Sequence, residues 1–321
     1  MYLPDLYNSF EVQKLKNKQT KHAWDLSEIY KFEDIDFTKT FAPITKDFLH
    51  YEHLTPNERV VVGQFLGLVI NSAICELELA LERSKKECYF NVIERFPVSK
   101  EFESLGNNFF LEEKKHSDAF NYFLNTFAKK TNVEREELRS LLPILNESKI
   151  EKIFRINGTI GGQALWLVTA AVEEESIEVF KKMIPHKKVI DPFFYKLHHL
   201  HFQEEMRHAS FAFLMLELLN DRSSFFVDRV SKVIDFILSD VLQVSWVLSE
   251  LVKTSNVDKL KNHHPFYETL GNALPKISDF NLVELFNYLF KDSPFVSLIL
   301  NPRSNKELSK FITSKNYLAL R

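Results

Sequence analysis

The chain is poor in what several function classes need. Cysteine occurs twice in 321 residues, at Cys75 and Cys88. That is too few for a disulfide framework or a zinc ribbon, and a reducing cytoplasm is the expected location. Glycine occurs 7 times and proline 11 times, which argues against glycine-rich nucleotide loops and against a turn-dense β fold. No sign of charge dominates: the formal net charge is -3 with 26% charged residues, so nothing points to nucleic acid as a partner. The N-terminus, MYLPDLYNSFEVQK, lacks the basic and then apolar segments of a signal peptide. One run, Val60 to Leu81, is as long as a membrane span but contains Gln64, Asn71, Ser72, Glu76 and Glu78. Each acid would cost roughly 2.5–3.5 kcal/mol at a bilayer centre, so a helix buried inside the protein is expected and no membrane partner.

What is present is hydrophobic and helical. Apolar residues make up 45% of the chain and phenylalanine alone occurs 30 times, enough for a sizeable core. Thr55-Pro56-Asn57-Glu58 supplies an N-cap, a first-turn proline and a Glu at N3 before a long apolar helix to about Arg83. Asn107 or Asn108 is placed to cap a helix to about Lys130. Thr131-Asn132-Val133-Glu134 reads as a capping box for a short helix. Asn157-Gly158 precedes a helix through about Met183, and Asp191-Pro192 opens another to about Asn220. Ser223 or Ser224 can cap a further helix to about Lys253, and the tail from 258 reads as shorter helices broken by prolines. Period-2 strand patterns are scarce. The expected fold is all-α: one domain over 1–321, with a four-helix bundle core at about 55–220 and additional N- and C-terminal helices.

The chemistry concentrates in HHLHFQEEMRHASFAFLML, His198 to Leu216. His201, Glu205 and His208 are spaced 4 and 3 apart and share a helix face with Ala212 and Leu216, so they fall on the core side. Unpaired charge there is costly. The helix before Lys130 repeats the pattern, Glu113 and His116 being followed at helical spacing by Phe120, Phe123 and Phe127. Glu112 lies about a quarter turn away and is the weaker candidate. A bundle metal site takes a Glu-x-x-His from each of two helices and one Glu from each of two others. The remaining two long helices both offer acids. Glu173 aligns with Trp166, Ala170, Ile177, Phe180 and Ile184, with Glu174 as second choice. Glu76 aligns with Val62, Phe65, Val69, Ser72 and Ala80, while Glu78 shares a more polar stripe with Gln64, Asn71 and Lys85 and is the alternative.

The resulting set, Glu76, Glu113, His116, Glu173, His201, Glu205 and His208, contains carboxylates and imidazoles without thiolate. It suits iron or manganese better than copper or zinc. Four glutamates balance two divalent or trivalent ions, and carboxylates that change binding mode with oxidation state suit reductive activation of O2. The H-x3-E-x2-H spacing of His201, Glu205 and His208, within HFQEEMRHASFAF, resembles the final motif of the p-aminobenzoate N-oxygenase family of ferritin-like, carboxylate-bridged diiron proteins. The resemblance covers roughly residues 55–220. It implies a ferritin-like bundle, two Fe ions with O2 as co-substrate, His201 as a third imidazole ligand, and oxidation of an aromatic amine nitrogen. It also implies a small-molecule substrate and an electron donor. The alternatives are another diiron enzyme, such as a hydroxylase, desaturase or reductase-like protein, or a non-catalytic iron-binding helical protein. Arg155 and Arg207 are candidates to hold a carboxylate substrate, and Tyr122 and Tyr195 are candidate radical sites. The Phe-rich segments FFVDRV and FNYLF fit a homodimer surface as well as a core.

Overall fold

The computed structural model describes residues 10–42, 53–96, 98–142, 147–159, 164–220 and 257–277. They form α1 (Phe10–His22), α2 (Ser27–Tyr30), α3 (Pro56–Arg83), a π-helical turn at Lys86–Phe90, α4 (Asn91–Arg95), α5 (Lys100–Lys130) and α6 (Arg135–Leu141). There follow α7 (Glu147–Thr159), α8 (Ala164–Met183), α9 (Pro192–Asn220), α10 (Val257–Leu260) and α11 (Pro265–Ala273). The fold is all-α. Among the described residues the only strand-like feature is a single parallel bridge between Thr40 and Ile190. The bundle consists of α3, α5, α8 and α9, with α3 packed on α5, α5 on α9 and α9 on α8. The segment FFVDRV, the segment FNYLF and the caps at Ser223 or Ser224 lie outside the described residues.

The caps explain where the long helices begin. Thr55 accepts from the backbone N–H of Glu58, and Glu58 accepts at 2.8 Å from that of Thr55, closing the expected capping box. The same Glu58 holds Lys276 at 2.6 Å, which docks the segment after α11 onto the start of α3. α5 begins earlier than the expected Asn107 or Asn108: Ser99 Oγ accepts from Phe102 N at 3.1 Å, and seven further residues join the helix ahead of Asn107. Thr131 is also reassigned. It ends α5, its hydroxyl donating back to Phe127 O at 2.9 Å, and Glu134 forms the capping box of α6 with Glu137. Asn157-Gly158 does not open α8; it closes α7, where a Cβ at position 158 would meet the backbone of Glu87 and Cys88 at 2.7–2.8 Å. Asp191 does open α9, accepting from Phe194 N through one oxygen and from Asp36 N through the other, each at 2.8 Å.

Two aromatic cores form, one on either side of a polar layer. One contains Phe41, Phe120, Phe123, Phe127 and Phe194. The other contains Tyr89, Phe102, Phe109, Trp166 and Phe211. α5 runs through both: Phe102, Phe109, Phe123 and Phe127 lie on one stripe, which Glu113 and His116 interrupt midway. All six are buried. α3 is the one helix among the described residues long and apolar enough to cross a bilayer, and 72% of its most apolar 18-residue window is buried within the protein.

Gly106 sits where the Tyr89 ring crosses α5, with the Tyr89 hydroxyl donating to the carbonyls of Phe102 and Glu103. An added Cβ would lie well inside van der Waals contact of Cζ, Oη and Cε2 of that ring. Gly106→Ala is therefore expected to lose about 1–3 kcal/mol despite alanine's better helix propensity. Urea unfolding monitored by circular dichroism checks this; an unchanged or raised midpoint would remove the packing argument.

Candidate metal centre

Each arm of the site follows from helix phase. On α9 the buried stripe runs Phe194, Leu197, His201, Glu205, His208, Ala212 and Met215. On α5 it carries Glu113 and His116, and on α8 it carries Trp166, Ala170, Glu173, Ile177 and Phe180. Where these stripes meet, three overlapping groups form among the described residues: Glu78, His116, His201 and Glu205; Glu113, His116 and His208; and Glu173, Glu205 and His208. Within each group one ligand atom per residue lies within 4.8 Å of the others, and every member is buried. Of the seven residues expected from sequence, six are brought together: Glu113, His116, Glu173, His201, Glu205 and His208.

Glu76 is not among them, and Glu78 takes its place. The Glu76 carboxylate lies 3.3 Å from Arg139 Nη2 on α6. Burial pushes its pKa up to about 7, against the opposing pull of Arg139 and Arg135. α3 is buried on almost every side, so an apolar stripe does not single out its inner face. The stripe that reads as polar is the inner one. Gln64 donates to the carbonyls of Phe37 and Lys39 at 3.1 and 2.7 Å, Asn71 bonds His198 at 2.8 Å, and Glu78 meets His201 at 2.8 Å. Glu174 is half-buried and stays outside the groups. His198 is also buried, and burial holds its pKa well below the usual histidine value, so it stays neutral.

The outer edges of two imidazoles are gripped reciprocally. His116 Nε2 meets Glu204 at 2.7 Å, and His208 Nε2 meets Glu112 at 2.9 Å. Each of these acids also holds the cation that precedes the other helix's histidine: Lys115 lies 2.7 Å from Glu204 and Arg207 2.9 Å from Glu112. The two Glu-Glu-x-(Lys/Arg)-His stretches, 112–116 and 204–208, thus exchange acids across the α5–α9 interface. Such contacts fix the ring so that Nδ1 points inward. By helix phase Glu112 is the weaker candidate and Glu204 none; the repeated Glu-Glu pair is the signal in the sequence that points to both. Arg207 is committed to these acids, and Arg155 pairs on the surface with Glu151 at 2.9 Å. The Tyr122 hydroxyl is bonded to the Tyr30 and Phe32 carbonyls, and Tyr195 packs on Phe180.

The inward atoms fit a cation. Both oxygens of Glu113 and Glu205, Glu78 Oε2, His116 Nδ1 and His208 Nδ1 are buried with no hydrogen-bond partner among the described residues. Yet His116 Nδ1 lies 3.2 Å from Glu205 Oε1, and His208 Nδ1 lies 2.8 Å from Glu113 Oε1. Buried polar atoms are rarely left so, and convergent oxygen and imidazole donors suit iron or manganese. Without an ion, protons must balance the charge. Burial pushes Glu113 up to about 7, and burial with the neighbouring Glu205 and Glu113 raises Glu173 well above the carboxylate range. Burial acts downward on His116 and His208, but their carboxylate partners outweigh it and raise both. Burial acts upward on Glu205, and His201 and His208 outweigh it and hold it low.

The fold and this cluster define a helical-bundle protein able to hold metal ions between its helices. A family profile, p-aminobenzoate N-oxygenase AurF, matches residues 50–234, more than half of the chain. The chain belongs to that oxygenase family, as the H-x3-E-x2-H resemblance implied, and is accordingly an enzyme. Neither the curated proteins nor the solved structures contain a match.

Two outcomes follow from this geometry. Glu204→Ala is expected to lower metal affinity by about 10–100-fold with the helical circular dichroism unchanged, which isothermal titration with Fe(II) under argon measures; wild-type affinity would mean the Glu204 grip does not matter. The metal-free protein should also be less stable at pH 8 than at pH 6. Glu113, His116 and His208 all have folded pKa values raised above their unfolded ones, so the folded state holds more protons and stability falls as pH rises through about 7. Melting temperatures across that range, with and without metal, test the sign.

Proposed function

We propose that this enzyme is a non-haem diiron oxygenase that activates O2 and oxidises the amine nitrogen of an arylamine. The observation that carries the reading is the set of three interlocking buried Glu/His groups, lying inside the segment that matches the family. His116, His208 and Glu205 each belong to two groups, an arrangement suited to two ions sharing ligands rather than one. The residues that would hold them are Glu78, Glu113, His116, Glu173, His201, Glu205 and His208. When bound, two irons would each supply an electron to one O2 molecule.

The chain's own residues do the rest. Glu112 and Glu204 orient two of the imidazoles, as described. Phe120 meets the His201 ring edge-on at 4.9 Å and Phe109 the His208 ring at 4.8 Å, so aromatic walls above and below exclude water from the layer. A small cavity lined by Leu77, Leu81, Phe154, Thr169 and Val172 opens directly onto Glu78, Glu113 and Glu173. At about 20 Å³ it has room for one water-sized molecule, so its apolar walls would have to part for an aromatic ring to enter from this side. The amine nitrogen would then face the three carboxylates.

Metal analysis of protein reconstituted with Fe(II) under argon is expected to give two irons per chain, with Glu78→Ala losing iron and Glu76→Ala retaining it. Admitting air to the reduced protein with a panel of arylamines should yield N-oxygenated products by mass spectrometry. Iron binding that survives Glu78→Ala, or ring-hydroxylated products alone, would overturn the assignment.

A further inference from the structure

The N-terminal segment, which carries no family motif, closes one side of the cluster. Trp24 lies parallel to the His116 ring, 5.8 Å between centroids and 6° between planes. Lys115 sits 4.2 Å over the indole and donates to the Trp24 carbonyl at 3.1 Å, while also gripping Glu204. A buried indole N–H normally finds an acceptor. That of Trp24 has none among the described residues, so stacking on His116 and Lys115, not a hydrogen bond, sets the ring's position. Trp24 is 7% exposed, and its neighbours Ala23 and Asp25 are exposed. One conjugated ring therefore spans the distance from the protein surface to an imidazole of the cluster.

The surface around that ring is distinctive. An open cleft of about 310 Å³ between α1 and α5 is lined by Gln19, Ala23, Leu111, Glu112 and Lys115, and Leu111 is 68% exposed at its rim. The outward side of the same α1, turned away from its buried Val12, Leu15 and Gln19, carries Lys14, Lys18 and Lys21. The helix FEVQKLKNKQTKH carries four lysines against one glutamate, in a chain whose net charge is -3. Of the nearby acids, Glu112 is held by Arg207 and His208, while Asp25 is an exposed carboxylate that leaves the lysines of α1 in excess. Lysines along one helix can steer an acidic partner, and an exposed apolar tip across the cleft from that helix can help seat it.

We propose that this face, formed by the α1 lysines and Leu111, docks a small acidic iron–sulfur protein that reduces the cluster through Trp24 and His116. The inference rests on the diiron reading above. The electron balance is simple. In each encounter the carrier's reduced iron–sulfur centre loses one electron, and one ferric ion of the cluster becomes ferrous. Two encounters reduce both ions. Trp24 and His116 end each transfer unchanged, having only shortened the gap, because electron transfer through protein slows exponentially with distance. A π-stacked pair passes electrons singly, which matches an obligate one-electron carrier and not a hydride donor.

The test uses the full chain and a reduced acidic [2Fe–2S] ferredoxin. Titration calorimetry of ferredoxin into the metal-free protein reads docking without iron. Binding should weaken steeply with salt, and Lys18→Glu with Lys21→Glu should weaken it by roughly ten-fold or more. With the iron-loaded oxidised protein, stopped-flow oxidation of ferredoxin reads transfer. The lysine variant should raise the ferredoxin concentration for half-maximal rate. Trp24→Phe should keep ferredoxin affinity and iron content while lowering the limiting rate by about ten-fold or more. Salt-insensitive binding, or a Trp24→Phe protein that accepts electrons at the wild-type rate, would overturn the proposal. A chain that holds two irons but ignores ferredoxin refutes this inference alone. A chain that binds ferredoxin but no iron refutes the diiron reading and the electron route with it.

Discussion

The architecture depends on a cost that must be met: four carboxylates and three imidazoles stand in one dry layer between two aromatic cores. Isolated, any of these charges would be strongly destabilising there. They persist because each faces a complement. The inward atoms converge on one another, and the outward imidazole nitrogens are held by Glu112 and Glu204, themselves tied to Arg207 and Lys115. The chain thus places a high density of donors where a cation can replace protons. The crossed pairing of the two motifs also locks α5 against α9, so the helix interface and the site are one construction.

The rest of the molecule supports that layer. Phenylalanines from α5 and α9 interleave on one side, Phe123 with Phe193 and Phe194, and Phe109 packs on Phe211 on the other. Asp191 ties the start of α9 to the N-terminal segment, and Lys276 ties a C-terminal turn to the start of α3. The N-terminal segment does more than cover the bundle. By setting Trp24 on His116 it gives the buried layer a conjugated contact close to the surface. A small cavity beside Leu77, Leu81 and Phe154 also borders Glu78, Glu113 and Glu173.

Much of this was legible in the chain. Helical periodicity, caps at Thr55 and Asp191, and two Glu-x-x-His pairs in phase with apolar stripes gave the bundle and six of the clustered residues, because local spacing alone decides which side chains share a face. Glu76 shows where that reasoning stops. A helix buried on nearly all sides has no outer face to contrast with its inner one, and the polar stripe of Gln64, Asn71 and Glu78 was the true interior. Their hydrogen bonds go to residues 25 to 127 positions away.

By itself, then, the sequence determined the fold class, the helices that carry the clustered acids and histidines, and the family, since each depends on spacing within a segment. Only the tertiary structure decided which acid of α3 turns inward, which carboxylate grips which histidine, and that Trp24 lies against His116. Those choices turn on contacts between segments about 90 residues or more apart. Nothing in local periodicity specifies them, because the rotation of one buried helix is set by the partners it meets.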